Sequence, residues 1–253
     1  FKNFIKTLFV DTRGNVWLGT DGAGVYRFNE RTLQGKSNTI SEFDHFHSHS
    51  SSPINDDFIM SIEEDYRGNI WIGTWNGGLN KITTGGKVIQ YNQPELRNAP
   101  LVVMHADLAD VLWVGTRGNG LYRVKVRDND PDIHIYRQDT DYSRSVNSNF
   151  INTIFEDHAG TLWIGTEDGL NSFDRRTETF STVRVNEDSG NPSIVSILED
   201  DSGKLWLAHS DGLTVIDPLD SGYLKNYDRH DRIQGGFQYS NACLKDLNGR
   251  LLF

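Results

Sequence analysis

The sequence predicts an all-β fold assembled from repeated four-stranded sheets. Three observations predict it. A tryptophan-centred motif recurs along the chain, each copy alternates apolar and polar residues at the strand period, and one strand per copy is apolar on both faces.

The motif runs "DTRGNVWLGTDGAGVYRF" from Asp11, "DYRGNIWIGTWNGGLNKI" from Asp65, "DLADVLWVGTRGNGLYRV" from Asp107, "DHAGTLWIGTEDGLNSF" from Asp157 and "DDSGKLWLAHSDGLTVI" from Asp200. A shortened copy, "DLNGRLLF", starts at Asp246. The copies centre on Trp17, Trp71, Trp113, Trp163, Trp206 and Leu252, at spacings of 54, 42, 50, 43 and 46 residues. In the copy around Trp163, "FINTIFED" predicts a first strand, "HAG" a turn, "TLWIGT" a second strand, "EDG" a second turn, "LNSFD" a third strand and "TFSTVRV" a fourth. The polar loop "NEDSGNPS" leads to the next copy. No segment carries an apolar stripe at the helical period. Four strands in a period of roughly 40–50 residues predict a β-propeller blade.

The second strand supports this independently. In "NVWLG", "NIWIG", "VLWVG", "TLWIG" and "KLWLA", neighbouring residues are both apolar although they face opposite sides of a strand. Stacked blades bury both sides. The indole is expected to fill one inter-blade space and its apolar neighbours the other, with the small residue two places on making room for a side chain of the adjacent blade. The Asp before the turn is expected to accept turn amides. These tryptophans and aspartates are therefore scaffold, neither ligand-stacking nor catalytic.

The 253 residues suffice for a large core, and the net charge of -10 argues against direct nucleic-acid or anionic-membrane binding by this segment. The single cysteine, Cys243, permits neither an internal disulfide nor a cysteine metal cluster. No apolar run reaches the roughly 18 residues of a membrane span, and no signal peptide is visible. The chain begins and ends inside a repeat. Residues 1–253 are accordingly expected to be a single propeller segment of a larger multidomain protein, joined to the membrane only through parts outside it. Its ends would be open edges unless covered by further sequence or another chain.

The pattern I-x-x-I-x-E-D-x-x-G-x-[LI]-W-[IVL]-G-T followed by G-[LV], seen as "IMSIEEDYRGNIWIGTWNGGL" and "INTIFEDHAGTLWIGTEDGL", resembles the two-component regulator propeller repeat. Such repeats form the periplasmic sensor region of Bacteroides-type hybrid two-component histidine kinases. The resemblance covers essentially the whole chain. It implies about five blades plus part of a sixth of a seven-bladed propeller, and "GGFQYSNACLKDLNGRLLF" is similar to the end of the second of two propellers in that family. It also implies a noncatalytic segment serving signal transduction, a glycan or oligosaccharide ligand that controls polysaccharide-utilisation genes, no cofactor, and a second protomer or the rest of the sensor as protein partners. Three copies depart from the pattern: Asp110 stands for the turn glycine, Ala208-His209 for Gly-Thr, and Leu252 for Trp.

Within the repeated frame, the turn after Gly-Thr varies. It holds Asp21, Trp75 and Asn76, Arg117 and Asn119, Glu167 and Asp168, and Ser210 with Asp211. Equivalent turns of successive blades are expected on one face, so Trp75, Asn76, Arg117, Asn119, Glu167, Asp168 and Ser210 are the candidate ligand-binding residues. Trp75 is the one tryptophan outside the repeated position and is suited to stacking on a sugar ring, although an indole there also serves as a hydrophobic plug. Arg117 is suited to a carboxylate or sulfate, although a lone arginine is more often simply solvated. His45, His47 and His49 alternate as one strand face would require for a metal, but the serines around them favour an outer strand and an enlarged loop.

"GTRGNG" (Gly115 to Gly120) lies between strands rather than before a helix, so it predicts no phosphate loop. No G-x-S-x-G or H-E-x-x-H motif is present. The competing reading is a propeller enzyme, streptogramin-lyase-like or glycan-cleaving, with an acid–base pair drawn from Glu167, Asp168 and His209. No feature of the sequence singles out such a pair.

Overall fold

The structure, a computed structural model, describes residues 4–29, 31, 42–127, 130–142, 144–185, 191–228, 231, 243–246 and 248–253. Of the loop "NEDSGNPS" and the C-terminal stretch from Gly235, residues 186–190, 235–242 and 247 lie outside those described. The fold is all-β, a set of four-stranded antiparallel propeller blades.

The first sheet comprises β1 (Ile5–Val10), β2 (Asn15–Thr20), β3 (Val25–Asn29) and β4 (Asp44–Phe46). The second has β5 (Ile59–Glu64), β6 (Ile70–Thr74), β7 (Leu79–Ile82) and β8 (Val88–Tyr91). The third has β9 (Leu101–Ala106), β10 (Val111–Thr116), β11 (Leu121–Arg127) and β12 (Asp130–Tyr136). The fourth has β13 (Ile151–Glu156), β14 (Leu162–Thr166), β15 (Gly169–Asp174) and β16 (Thr179–Val183), and the fifth β17 (Ile194–Glu199), β18 (Leu205–His209), β19 (Gly212–Asp217) and β20 (Asp220–Tyr227). The short strands β21 (Leu244–Lys245) and β22 (Leu251–Leu252) form a two-stranded sheet. Each sheet follows chain order as consecutive hairpins, with no crossover. The chain forms two compact units, Phe1–Thr116 with Tyr122–His134, and Arg117–Leu121 with Ile135–Phe253.

The one helix among the described residues is a single turn, α1 (Pro94–Arg97), in the connector after β8. Pro94 lacks the amide proton that a first helical turn leaves unpaired, so it suits that position, and the turn buries Leu96 completely. The alternation pattern carries no trace of a helix this short.

The Asp–Trp spacing has a reason beyond turn chemistry. In the copy at Asp65, Oδ1 accepts the amides of Arg67 and Asn69 at 3.0 and 2.9 Å, while Oδ2 accepts the Trp71 indole N–H at 3.0 Å. The same indole bond joins Trp17 to Asp11, Trp113 to Asp107, Trp163 to Asp157 and Trp206 to Asp200, at 2.8–3.1 Å. One carboxylate thus closes the β-turn and satisfies the only polar atom of the buried ring, which a dry inter-blade space would otherwise leave unpaired. Burial pushes the Asp200 carboxyl up, but hydrogen bonds from Ser202, Trp206 and Lys204 outweigh it and hold the group down at about 2. Asp11 is held low by the same balance.

The departures from the repeat are accommodated in place. Asp110 adopts φ 63° where the other copies use glycine, and its carboxylate pairs with Arg67 at 2.6 Å. In the last copy, where Leu252 stands for Trp, the free Asp246 oxygen accepts Arg250 Nε at 2.6 Å instead of an indole.

In the copies at Trp17, Trp71 and Trp163, the glycine two places after the tryptophan faces the next blade. A Cβ on Gly19 would lie 2.5 Å from Thr7 Cγ2 and 2.6 Å from Ile59 Cγ2, and one on Gly165 would lie 2.5 Å from Thr153 Cγ2 and 2.9 Å from Ile194 Cγ2. Ile59 and Ile194 each open the first strand of a blade, next to a register shift present in all five first strands or their partners. Trp17 packs in a cluster with Ile54, Ile59, Ile62, Ile70 and Ile72, and Trp163 with Ile194, Ile197, Leu205 and Leu207. Both faces of β6, β10 and β14 are buried throughout.

Candidate functional site

The variable turns begin at the threonine of Gly-Thr. Thr20 and Thr74 each donate from Oγ1 to the carbonyl of Gly24 or Gly78 at 2.8 Å, and each accepts the amide three residues on at 3.0 Å. Thr166 shares its one hydroxyl proton between Asn147 Oδ1 at 2.8 Å and Gly169 O at 3.1 Å, and accepts the Asp168 amide two residues on. The hydroxyl fixes the turn backbone, so the residues after it are free to change without loss of the hairpin.

His209 takes this threonine's place in the fifth blade. Its Nδ1 accepts the Asp211 amide at 3.3 Å, and its Nε2–H donates to Thr214 Oγ1 at 2.9 Å. Thr214 in turn donates to Asn226 Oδ1 at 2.6 Å. Burial pushes the imidazole below its ordinary value, although Asp211 opposes the shift. Both ring nitrogens are thereby committed to holding the turn, which leaves His209 poorly placed as a general base.

Three of the turns are also tied to the residue just before a first strand. The amides of Asp21, Trp75 and Glu167 donate to the carbonyls of Phe4, Phe58 and Phe150 at 2.9–3.1 Å. Phe58 further pairs with Asp21 of the preceding blade, and Phe150 with Arg117. Phe58 and Phe150 stand on Gly22 and Gly118, where a Cβ would meet either ring at 3.3 Å. Phe150 therefore links the Arg117 and Glu167 turns of successive blades. These phenylalanines are 49% and 39% exposed, so they add aromatic surface beside the candidate turns. The sequence holds their signal, a Phe-Ile pair at 4–5, 58–59 and 150–151, which the strand pattern had absorbed.

Trp75 is 37% exposed, neither a buried core ring nor a free one. Asn76 is exposed, and its amide donates to Asp56 Oδ2 at 2.9 Å. Arg117, Glu167, Asp168 and Ser210 are exposed, and Asn119 is half-buried with its carbonyl accepting Arg137 Nε at 3.4 Å. Asn147 Nδ2 donates to Asp168 O at 2.8 Å, and Ser210 Oγ to Asp211 Oδ1 at 3.2 Å. All seven residues occupy the β2–β3 type turn of their blades. Among the described residues, the Ser210 hydroxyl bonds within its own turn rather than to another of the seven.

A pocket of about 460 Å³ opens beside Asn76, lined by Asn55, Asp56, Asn76, Gly77, Asn92 and Arg97. Gly77 is essential to its shape, since a Cβ there would lie 2.5 Å from Asp56 Cβ. Sequence reasoning reached only Asn76 of this group, because Asn55, Asp56, Asn92 and Arg97 come from two connectors that the repeat does not define. His45 Nε2 bonds the Ala23 carbonyl at 2.7 Å, its ring stacks on Tyr26, and His47 Nδ1 accepts the His49 amide at 3.2 Å. His45 lies in the outer strand β4, as the serine-rich context indicated.

Residues 1–22, 53–76 and 145–168 match the family described as two component regulator propeller. The extracellular domain of BT3049 from B. thetaiotaomicron, described as a hybrid two component system, superposes with a TM-score of 0.72 at 20% identity over 98% of this chain. The corresponding domain of BT4673 gives 0.71 at 22% identity over 89%. This chain spans 31% of the length of each of those domains. A streptogramin B lyase also superposes, with a TM-score of 0.68 at 17% identity over 96% of this chain and 74% of the lyase. No curated protein matches the chain. The repeated Asp–Trp clamp and the blade topology thus accompany three stretches that match two component regulator propeller repeats.

Proposed function

We propose that the chain is a noncatalytic, periplasmic sensor segment of a hybrid two-component histidine kinase. It binds a glycan fragment, or relays the binding of one, to control polysaccharide-utilisation genes, together with the rest of the sensor and a second protomer. The observation that carries this reading is a constant scaffold with changeable turns, in a chain whose likeness to the extracellular domains of hybrid two component systems extends over nearly its whole length. Trp75, Asn76, Arg117, Asn119, Glu167, Asp168 and Ser210 are the proposed contacts, with Trp75 under a sugar ring and the others on hydroxyl or acidic substituents. Stacking under one sugar is weak alone, so several turns must contribute.

The likeness to streptogramin B lyase favours a second reading, a propeller enzyme. Against it, His209, the imidazole of the candidate acid–base set, has both nitrogens used in its own turn. A glycan-array screen of the complete protein, followed by calorimetry on Trp75→Ala and Arg117→Ala, tests the proposal. Weaker binding in both variants supports it. Parent-like binding in both places the ligand elsewhere.

A further inference from the structure

The fourth and second blades spend the same asparagine differently. In the fourth, Asn147 accepts Asn171 Nδ2 and Thr166 Oγ1 and donates to Asp168 O, so its amide is consumed in closing its own turn. Asn55 holds that place in the second blade, where its backbone amide donates to Asn80 Oδ1 at 2.9 Å. Its side-chain Nδ2, although buried, has no hydrogen-bond partner among the described residues, and neither has Nδ2 of the fully buried Asn80. Buried amide donors are normally satisfied, and these two nitrogens are closed to solvent, so Asn55 gives the pocket a polar wall rather than a donor that a ligand can reach.

The rest of that pocket has the same character. Asp56 is spoken for, with Oδ1 accepting the Phe58 amide and Oδ2 the Asn76 amide. Arg97, at the end of α1, has no carboxylate partner among the described residues, in a chain of net charge -10. Asn76 and Asn92 also line the pocket, and Trp75 immediately precedes Asn76. A guanidinium without a carboxylate partner, in a pocket shared with two exposed asparagines, suits a planar carboxylate flanked by hydroxyls. At about 460 Å³ the pocket has room for one sugar ring.

We infer that this pocket takes the carboxylate-bearing sugar of an oligosaccharide, a uronic acid. Arg97 pairs with the carboxylate, and Asn76 and Asn92 meet ring hydroxyls. The inference rests on the glycan-sensing proposal and narrows it to acidic ligands and to one blade.

The test screens the complete protein against paired oligosaccharides that differ only in whether their uronate carboxyls are free or methyl-esterified. Each hit is then titrated into the parent, Arg97→Gln and Arg97→Lys. The inference expects the free acids to bind, the esters to bind at least about tenfold more weakly, Arg97→Gln to lose about as much, and Arg97→Lys to recover part of it. Thermal melts of both variants should match the parent, because Arg97 is exposed. Binding of neutral glycans alone, or of acidic ones unaffected by Arg97→Gln, overturns this inference and leaves glycan sensing standing. Binding of no glycan overturns both.

Discussion

Two tryptophans four residues apart have opposite roles. Trp71 is buried, stacked on Tyr91 with Lys81 over its ring, and hydrogen-bonded to Asp65, whereas Trp75 sits in a turn with more than a third of its surface in water. Trp71→Ala should cost roughly 3–5 kcal/mol, and Trp75→Ala clearly less, in denaturant melts. Equal large losses would make Trp75 core and remove it from the site. A second residue-scale prediction concerns pH. The folded His209 pKa is depressed, so the unfolded chain binds more protons there as pH falls below the ordinary value of 6.5, and stability falls with it. His158 beside Glu199 is shifted upward and acts in the opposite sense, so the comparison must be made between variants. His209→Thr, which restores the repeat's own residue, should lose less melting temperature than the parent between pH 7.5 and 5.5. Identical losses would contradict the assigned hydrogen bonds. At lower pH the Asp200 carboxylate, fully stabilising above about 4, should lose its contribution as pH falls towards about 2, and Asp200→Asn should show a shallower acid transition over that window.

At the scale of the element, the second strand and the turn on either side of it divide scaffold from chemistry. The strand's Gly165 leaves no room for a methyl group between Thr153 and Ile194, so Gly165→Ala should cost roughly 1–3 kcal/mol by overpacking. Combining it with Ile194→Ala should be less damaging than the two losses added. Strict additivity in chemical melts would mean that the glycine and the isoleucine do not meet. Five copies of one motif made the strands, the turns and the role of the small residue legible in the sequence. The indole–carboxylate bond was not legible, because a spacing of six residues reveals contact only once the hairpin is closed. Nor was the pocket beside Asn76. Asn55, Asp56, Asn92 and Arg97 lie in connectors of unequal length, where no period exists to align them. Phe58 and Phe150 repeat visibly, but alternation alone does not reveal which way the residue just before a strand turns.

At the scale of the whole molecule, β1 exposes an apolar strand face. Ile5 and Leu8 of β1 are 60% and 62% exposed, whereas Ile59 and Ile62, at the same positions of the next blade, are buried against Trp17. An uncovered strand face of this kind favours association. Residues 1–253 alone should therefore show concentration-dependent sedimentation, and Leu8→Lys should shift them towards monomer. A monomer at every concentration would show that this face tolerates water. In the proposed function, a fixed repeat frame presents its turns to a glycan and performs no chemistry on it. The most direct test is calorimetric titration of the complete protein with an oligosaccharide found by array screening, followed by chromatography of the recovered sugar. The account predicts saturable binding, weakened in Trp75→Ala, with the sugar recovered intact. Shortened or eliminated sugar products that accumulate with time and protein concentration would contradict it.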